Sequence, residues 1–215
     1  MQHSAYIFDF DGTLVDSMPY VAIGVKKFLA DRGVKYPENI MEIVTPLGYP
    51  ASAAYYNEHF GLSVTGEEYL DELQEYLYPR YRDEIPLKTG ALEYLKALRE
   101  RGAILTVLTA SPIRFVEPCF ERLGIRDWFA HLWCCSDFGI TKSQPAIYLE
   151  AAKRLSCAPK DIAFFDDSFH SLTAAKEAGL YTVGIYDEVA KAFTEDVKKV
   201  SDVYHESFLT LKDIE

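Results

Sequence analysis

Short apolar runs recur along the chain at Ala5 to Phe10, Ala103 to Leu108, Leu132 to Cys135, Ile162 to Phe165 and Tyr181 to Ile185. Each is too short for a buried helix, and the pattern predicts strands covered on both faces, as in a parallel sheet. Between the runs, apolar positions take helical spacing. Ala91 to Arg101 sets Leu92, Leu95 and Leu98 on one face, and Ala146 to Leu155 and Leu172 to Ala178 behave alike. Gly102 and Gly179 stand where such helices stop. Strands alternating with helices imply right-handed crossovers and an α/β fold built on a doubly wound parallel sheet, with ligands bound beyond the carboxyl ends of the strands.

From Ser17 to Pro86 the alternation lapses. Three amphipathic stretches, Val21 to Asp31, Ala51 to Phe60 and Glu67 to Tyr81, predict an inserted all-helical unit between core segments 1–16 and 87–215. In the third, Tyr69, Leu70, Leu73, Tyr76 and Leu77 recur at helical spacing, a pattern read as packing and not as an aromatic binding surface. Ser201 to Tyr204 is a candidate last strand.

Composition narrows the partners. The 215 residues carry 22 lysines and arginines against 33 aspartates and glutamates, a net charge of −11, which repels nucleic acid. The four cysteines, Cys119, Cys134, Cys135 and Cys157, show no CxxC spacing and read as core thiols in a reducing compartment. With no basic leader ahead of an apolar stretch and no run long enough to cross a bilayer, the expectation is a cytoplasmic protein without a membrane partner.

Four clusters at strand ends carry the candidate chemistry. Asp9-Phe10-Asp11-Gly12-Thr13-Leu14 brings two carboxylates out of the first strand, and period-two alternation orients both alike. Such neighbours raise one another's pKa unless a cation stabilises both, which suits a hard ion such as Mg²⁺; the alternative is a plain Asp-Gly turn with Asp11 capping a helix. Thr109, Ala110 and Ser111 follow the second strand and offer a hydroxyl and free N–H groups to an anion, although Ser111 before Pro112 equally reads as a helix cap. Lys142 lies just ahead of a helix, either a surface charge or a fixed cation. Asp166 and Asp167 end another buried run, where a helix cap accounts for one carboxylate and a shared metal for both.

In this order, acid pair, hydroxyl, lysine and acid pair, the clusters resemble the haloacid dehalogenase superfamily of phosphotransferases. Its first motif, DxDGT[LV], stands intact at Asp9 to Leu14, and the resemblance covers essentially the whole chain. It implies a Rossmann-like catalytic core, with the inserted helices as a cap. By the resemblance Asp9 is the nucleophile, forming an aspartyl phosphate, and Asp11 is the acid and base. Thr109 and the Ala110 N–H hold phosphoryl oxygens, and Lys142 compensates their charge. The Asp9 carboxylate, the Asp11 carbonyl and the Asp167 carboxylate hold Mg²⁺, and Asp166 supports them from behind, orienting a water or Lys142. Which acid of the adjacent pair faces the ion stays open.

The lysine motif departs from the family's KPxPD, reading Lys142-Ser143-Gln144-Pro145-Ala146. His170 is expected on a helix surface. Asp11 argues against the dehalogenase branch, whose leaving group needs no proton. Asp16-Ser17-Met18-Pro19 looks more like the phosphoglycolate phosphatases than like the sugar phosphomutases, which carry a histidine where Val21 stands. The expected function is therefore Mg²⁺-dependent hydrolysis of a small phosphorylated metabolite. A phosphomutase and a catalytically silent phosphate-binding relative are the alternatives. A signalling receiver domain fits less well, because it lacks the helical insert. Substrate selection is expected from the cap, with Tyr20, Pro46 to Tyr49 (Gly48 and Tyr49 above all) and Arg80 to Arg82 as candidates. Oligomeric state is not legible.

Overall fold

The computed structural model describes residues 3–213. Six parallel strands, β1 (Ala5–Phe8), β2 (Ile104–Thr109), β3 (His131–Cys134), β4 (Ile162–Asp166), β5 (Tyr181–Ile185) and β6 (Val203–His205), form one sheet in the order β3-β2-β1-β4-β5-β6. The order reverses between β1 and β4, so a crevice opens beyond their carboxyl ends, the usual ligand position in such a sheet. Both central strands are buried throughout. Tyr6, Phe8, Ala163 and Phe165 enter the apolar core on one face, and Ala5, Ile7, Ile162 and Phe164 the core on the other, the alternation that strand geometry requires.

Between β1 and β2 the chain builds α1 (Met18–Ala30), α2 (Ile40–Val44), α3 (Gly48–Phe60) and α4 (Gly66–Asp83), then α5 (Ala91–Glu100). Further along come α6 (Ile113–Arg122), α7 (Pro145–Arg154), α8 (Phe169–Glu177) and α9 (Thr194–Val200). The Thr65 hydroxyl accepts from the Glu68 N–H while Glu68 accepts from the Thr65 N–H, a capping box that fixes the start of α4. Tyr69, Leu73, Leu77 and Tyr81 bury one stripe of that helix.

The two chain passages joining the helical segment to the sheet run side by side. Val15 bridges Leu87, and the Asp16 N–H donates to the Pro86 carbonyl at 2.9 Å. Lys88 fastens this neck through a 2.6 Å ion pair with buried Asp187. Above it, α4 leans on α6 and the loop after β1 through the Tyr81 ring, which packs against Phe10 and Phe115 with centroids 5.5 and 5.0 Å away.

Several expectations need correction. The first strand ends at Phe8, not Phe10, so Asp9 and Asp11 sit on a loop and strand periodicity does not orient them. Leu92 points outward at 41% exposure, and Ala91, Leu95 and Leu98 form the buried stripe of α5. Pro112 caps α6 with no side-chain bond, leaving Ser111 free for another role. The short helix α2 and helices α6 and α9 add to those expected, and the last strand starts at Val203. Pro118 lies inside α6, which weakened its sequence signal, whereas α4 was legible despite Pro79.

Candidate active site

Asp9 follows β1 directly, and its N–H donates to the Phe165 carbonyl at 2.8 Å, tying the loop to the neighbouring strand. The chain then reverses at Gly12, whose φ of +72° favours glycine. A side chain there would also collide: a Cβ would stand 2.8 Å from Asp167 Oδ2. Glycine thus lets the first acidic loop press against the last one. Thr13 spans the same gap, its hydroxyl donating to Asp167 Oδ1 at 3.2 Å.

Lys142 is buried and reaches both loops. Its Nζ lies 2.7 Å from Asp9 Oδ1 and 2.8 Å from Asp166 Oδ2. Asp166, with no exposed surface, accepts a further bond from the Ser168 N–H at 2.7 Å. Burial alone would lower the lysine pKa, but the charges of Asp166 and Asp9 outweigh it and hold it well above the ordinary value. The surface reading of Lys142 is therefore excluded. The Tyr148 hydroxyl donates to the Lys142 carbonyl at 2.8 Å and anchors the loop in a chain that lacks the usual proline and aspartate.

Asp9, Asp166 and Asp167 each bring one carboxylate oxygen within 4.8 Å of the others. One ammonium does not compensate three carboxylates. Burial pushes Asp9 up to about 7 despite Lys142, with Asp166 and Asp11 adding to the rise. Burial, then the Asp166 and Asp9 charges, also lift Asp167 well above the carboxylate range. An all-oxygen, electron-rich donor set of this kind suits a hard divalent cation. Lys142 engages one oxygen each of Asp9 and Asp166, and Thr13 engages one of Asp167.

Asp11 lines the same cavity as Asp9 and Lys142, held by three hydroxyls. Ser17 donates to Oδ1 at 2.7 Å, Tyr81 to Oδ1 at 2.5 Å and Ser111 to Oδ2 at 2.5 Å. Burial first, then the Asp11 charge, keeps the Tyr81 phenol protonated and a donor. Thr109 is buried at the end of β2 and accepts from the Ser111 N–H at 2.9 Å; with Ala110 it lines the same cavity as Asp9, Asp11 and Lys142.

That cavity, about 220 Å³, lies between the strand ends and the inserted helices. Of the cap candidates, Gly48 and Tyr49 line it. Tyr20 does not: it packs, half-buried, on the apolar core. Arg80 and Arg82 pair with Glu84 and Asp83 at the surface, and the Pro46 side chain lies outside the described residues. His170 is exposed on α8, as expected. Tyr69 packs on Phe28 and Tyr56 yet also lines the cavity, so the reading of that stripe as packing alone is too narrow. Sequence reasoning set Ser111 at an anion site or a helix cap and Tyr81 within the Arg80 to Arg82 cap candidates, and it placed neither of them, nor Ser17, on Asp11. For Tyr81 a signal existed, since it stands four residues after Leu77 on the buried stripe.

The model of the haloacid dehalogenase-like hydrolases matches residues 3–179. The N-acetylmuramic acid 6-phosphate phosphatase of Pseudomonas aeruginosa is 30% identical over 190 residues, covering 86% of this chain and 82% of that protein. The phosphoglycolate phosphatase of Haemophilus influenzae is 28% identical over 187 residues, 83% of each chain. Among solved structures, CbbY from Rhodobacter sphaeroides in complex with phosphate superposes with a TM-score of 0.80 at 23% identity, covering 98% of this chain and 97% of its own, a likeness of fold. No helix among the described residues is long and apolar enough to cross a membrane. The chain belongs to the haloacid dehalogenase-like hydrolases.

Proposed function

We propose that this protein is a Mg²⁺-dependent phosphatase that hydrolyses a small phosphate monoester through an aspartyl phosphate, with residues 17–86 as its cap. The observation that carries the reading is the split between two carboxylates two residues apart: Asp9 sits beside Lys142, and Asp11 accepts from three hydroxyl donors. Environment separates their tasks, as general catalysis by paired acids requires.

In the forward half-reaction an Asp9 oxygen attacks phosphorus, and the bond to the leaving oxygen breaks as Asp11 supplies its proton. In the second half Asp11 takes a proton from water, which attacks phosphorus and releases inorganic phosphate and a free Asp9 carboxylate. Thr109 and the Ala110 N–H orient the phosphoryl oxygens, and Lys142 offsets the charge gathered on them. Mg²⁺ would be held by the carboxylates of Asp9 and Asp167 and the Asp11 carbonyl, supplying positive charge to the phosphoryl group. Asp166 keeps Lys142 aimed at Asp9. Phosphomonoesters of the kind the relatives' names describe share this requirement, and the helices over the cavity limit the ester to a small metabolite.

The test is turnover of para-nitrophenyl phosphate with Mg²⁺ and after chelation. Turnover should stop on chelation, return on adding Mg²⁺, and be lost in Asp9→Asn. A folded, Mg²⁺-replete protein that cleaves no ester of a broad phosphometabolite panel sinks the reading.

A further inference from the structure

Resting on the phosphatase reading, we propose that the leaving alcohol is uncharged and largely apolar, carrying no carboxylate and no second phosphate. Above the reacting groups the cavity is walled by apolar side chains of α1 and α2, by Tyr69 of α4, and by Tyr49 and Ser52 of α3, the Ser52 hydroxyl being spent on the Val44 and Gly48 carbonyls. Lys142 is the one cation lining it among the described residues, and both of its short contacts are taken by Asp9 and Asp166. The cations of the cap turn elsewhere. Arg32 forks onto Glu72 at 3.0 and 2.7 Å, Lys27 pairs with Asp31, and Arg82 pairs with Asp83, all outside the cavity.

An acid on the leaving group would therefore be buried against methyls and aromatic rings, facing two further carboxylates on the floor. Burying a charge without a partner is among the costliest steps available to a site. A neutral alcohol meets no such penalty and gains by covering the apolar wall. Thr45, on the turn between α2 and α3, is a half-buried member of that wall.

The test uses matched esters, n-propyl phosphate and phosphoglycolate, titrated with Mg²⁺ into the Asp9→Asn protein and followed by calorimetry. The neutral ester should bind roughly 100-fold or more tightly than the acidic one. In Thr45→Lys, which sets an ammonium on the half-buried wall position, the acidic ester should gain at least about tenfold over the neutral one. Equal or tighter binding of phosphoglycolate, binding of neither ester, or an unchanged preference in Thr45→Lys overturns the proposal. Hydrolysis by the unaltered protein is read separately: n-propyl phosphate that binds in preference to phosphoglycolate but is never cleaved defeats the phosphatase reading and leaves only the cavity's preference for an uncharged ester group.

Discussion

The floor and the wall of the cavity are built on opposite principles. The floor concentrates charge: four carboxylates and one ammonium stand at the end of β4 or on loops that follow β1 and β4 or precede α7, each within a few residues of a strand or helix end. The wall comes from α1, α2, α3 and α4 and the turn before α3, and it holds methyls, rings and hydroxyls. The floor depends on local chain geometry, the wall on how distant helices pack. Chemistry and selectivity can therefore change independently, and each substitution below tests one side of that division.

The largest effect should come from the floor. Asp9→Asn removes the attacking oxygen while keeping shape, and turnover of para-nitrophenyl phosphate should fall by on the order of 10⁴-fold or more. The melting transition should not fall with it, because one of the crowded carboxylates has gone. A variant retaining a tenth of the activity would move the nucleophile elsewhere. Lys142→Met also abolishes turnover, but at a structural cost. It leaves Asp9 and Asp166 buried without their cation, and denaturant unfolding should show a loss of about 3–5 kcal/mol. Unchanged stability would mean that the pair is solvated in solution.

Much of the floor was legible in the sequence because its groups are tied to strand ends: Asp9, Asp11, Thr109, Lys142, Asp166 and Asp167 all converge where the alternating pattern placed them. What escaped was contact across the chain. Ser111 read as a helix cap because a serine before proline so often is one, yet it donates to Asp11 from 100 residues away. Tyr81 reaches Asp11 over 70 residues, and no local pattern records that distance. The wall was legible only as amphipathic helices. Gly48 and Tyr49 could be named from their turn, but Tyr20 faced the core instead because its orientation is set by how α1 packs.

Tyr81 belongs to both sides, a wall helix holding a floor carboxylate. Tyr81→Phe deletes one of three donors to Asp11 and keeps the ring between Phe10 and Phe115. The kcat should drop by roughly 10- to 100-fold, a fraction of what general acid-base catalysis contributes, with KM little altered. A change in KM alone would make Tyr81 a substrate contact and not a positioning residue. Gly12→Ala should be milder in rate but visible in metal dependence. Its methyl meets Asp167 at 2.8 Å in a backbone conformation alanine disfavours, so a loss of about 1–2 kcal/mol in stability should accompany a weaker half-saturation by Mg²⁺.

The smallest effect should fall on the wall, away from the reacting atoms. Tyr56 is fully buried behind the cavity, and its hydroxyl shares a 3.2 Å hydrogen bond with Tyr69. Tyr56→Phe leaves the Tyr69 hydroxyl without that partner among aromatic neighbours, which costs about 1 kcal/mol in unfolding free energy. Neither tyrosine touches the carboxylates, so kcat for para-nitrophenyl phosphate should stay within about twofold. Any shift should appear in KM for bulkier esters, as the loosened Tyr69 ring changes the wall. A tenfold fall in kcat would show that the wall's packing is transmitted to Asp11, most directly along α4 to Tyr81, and that the two regions are not independent.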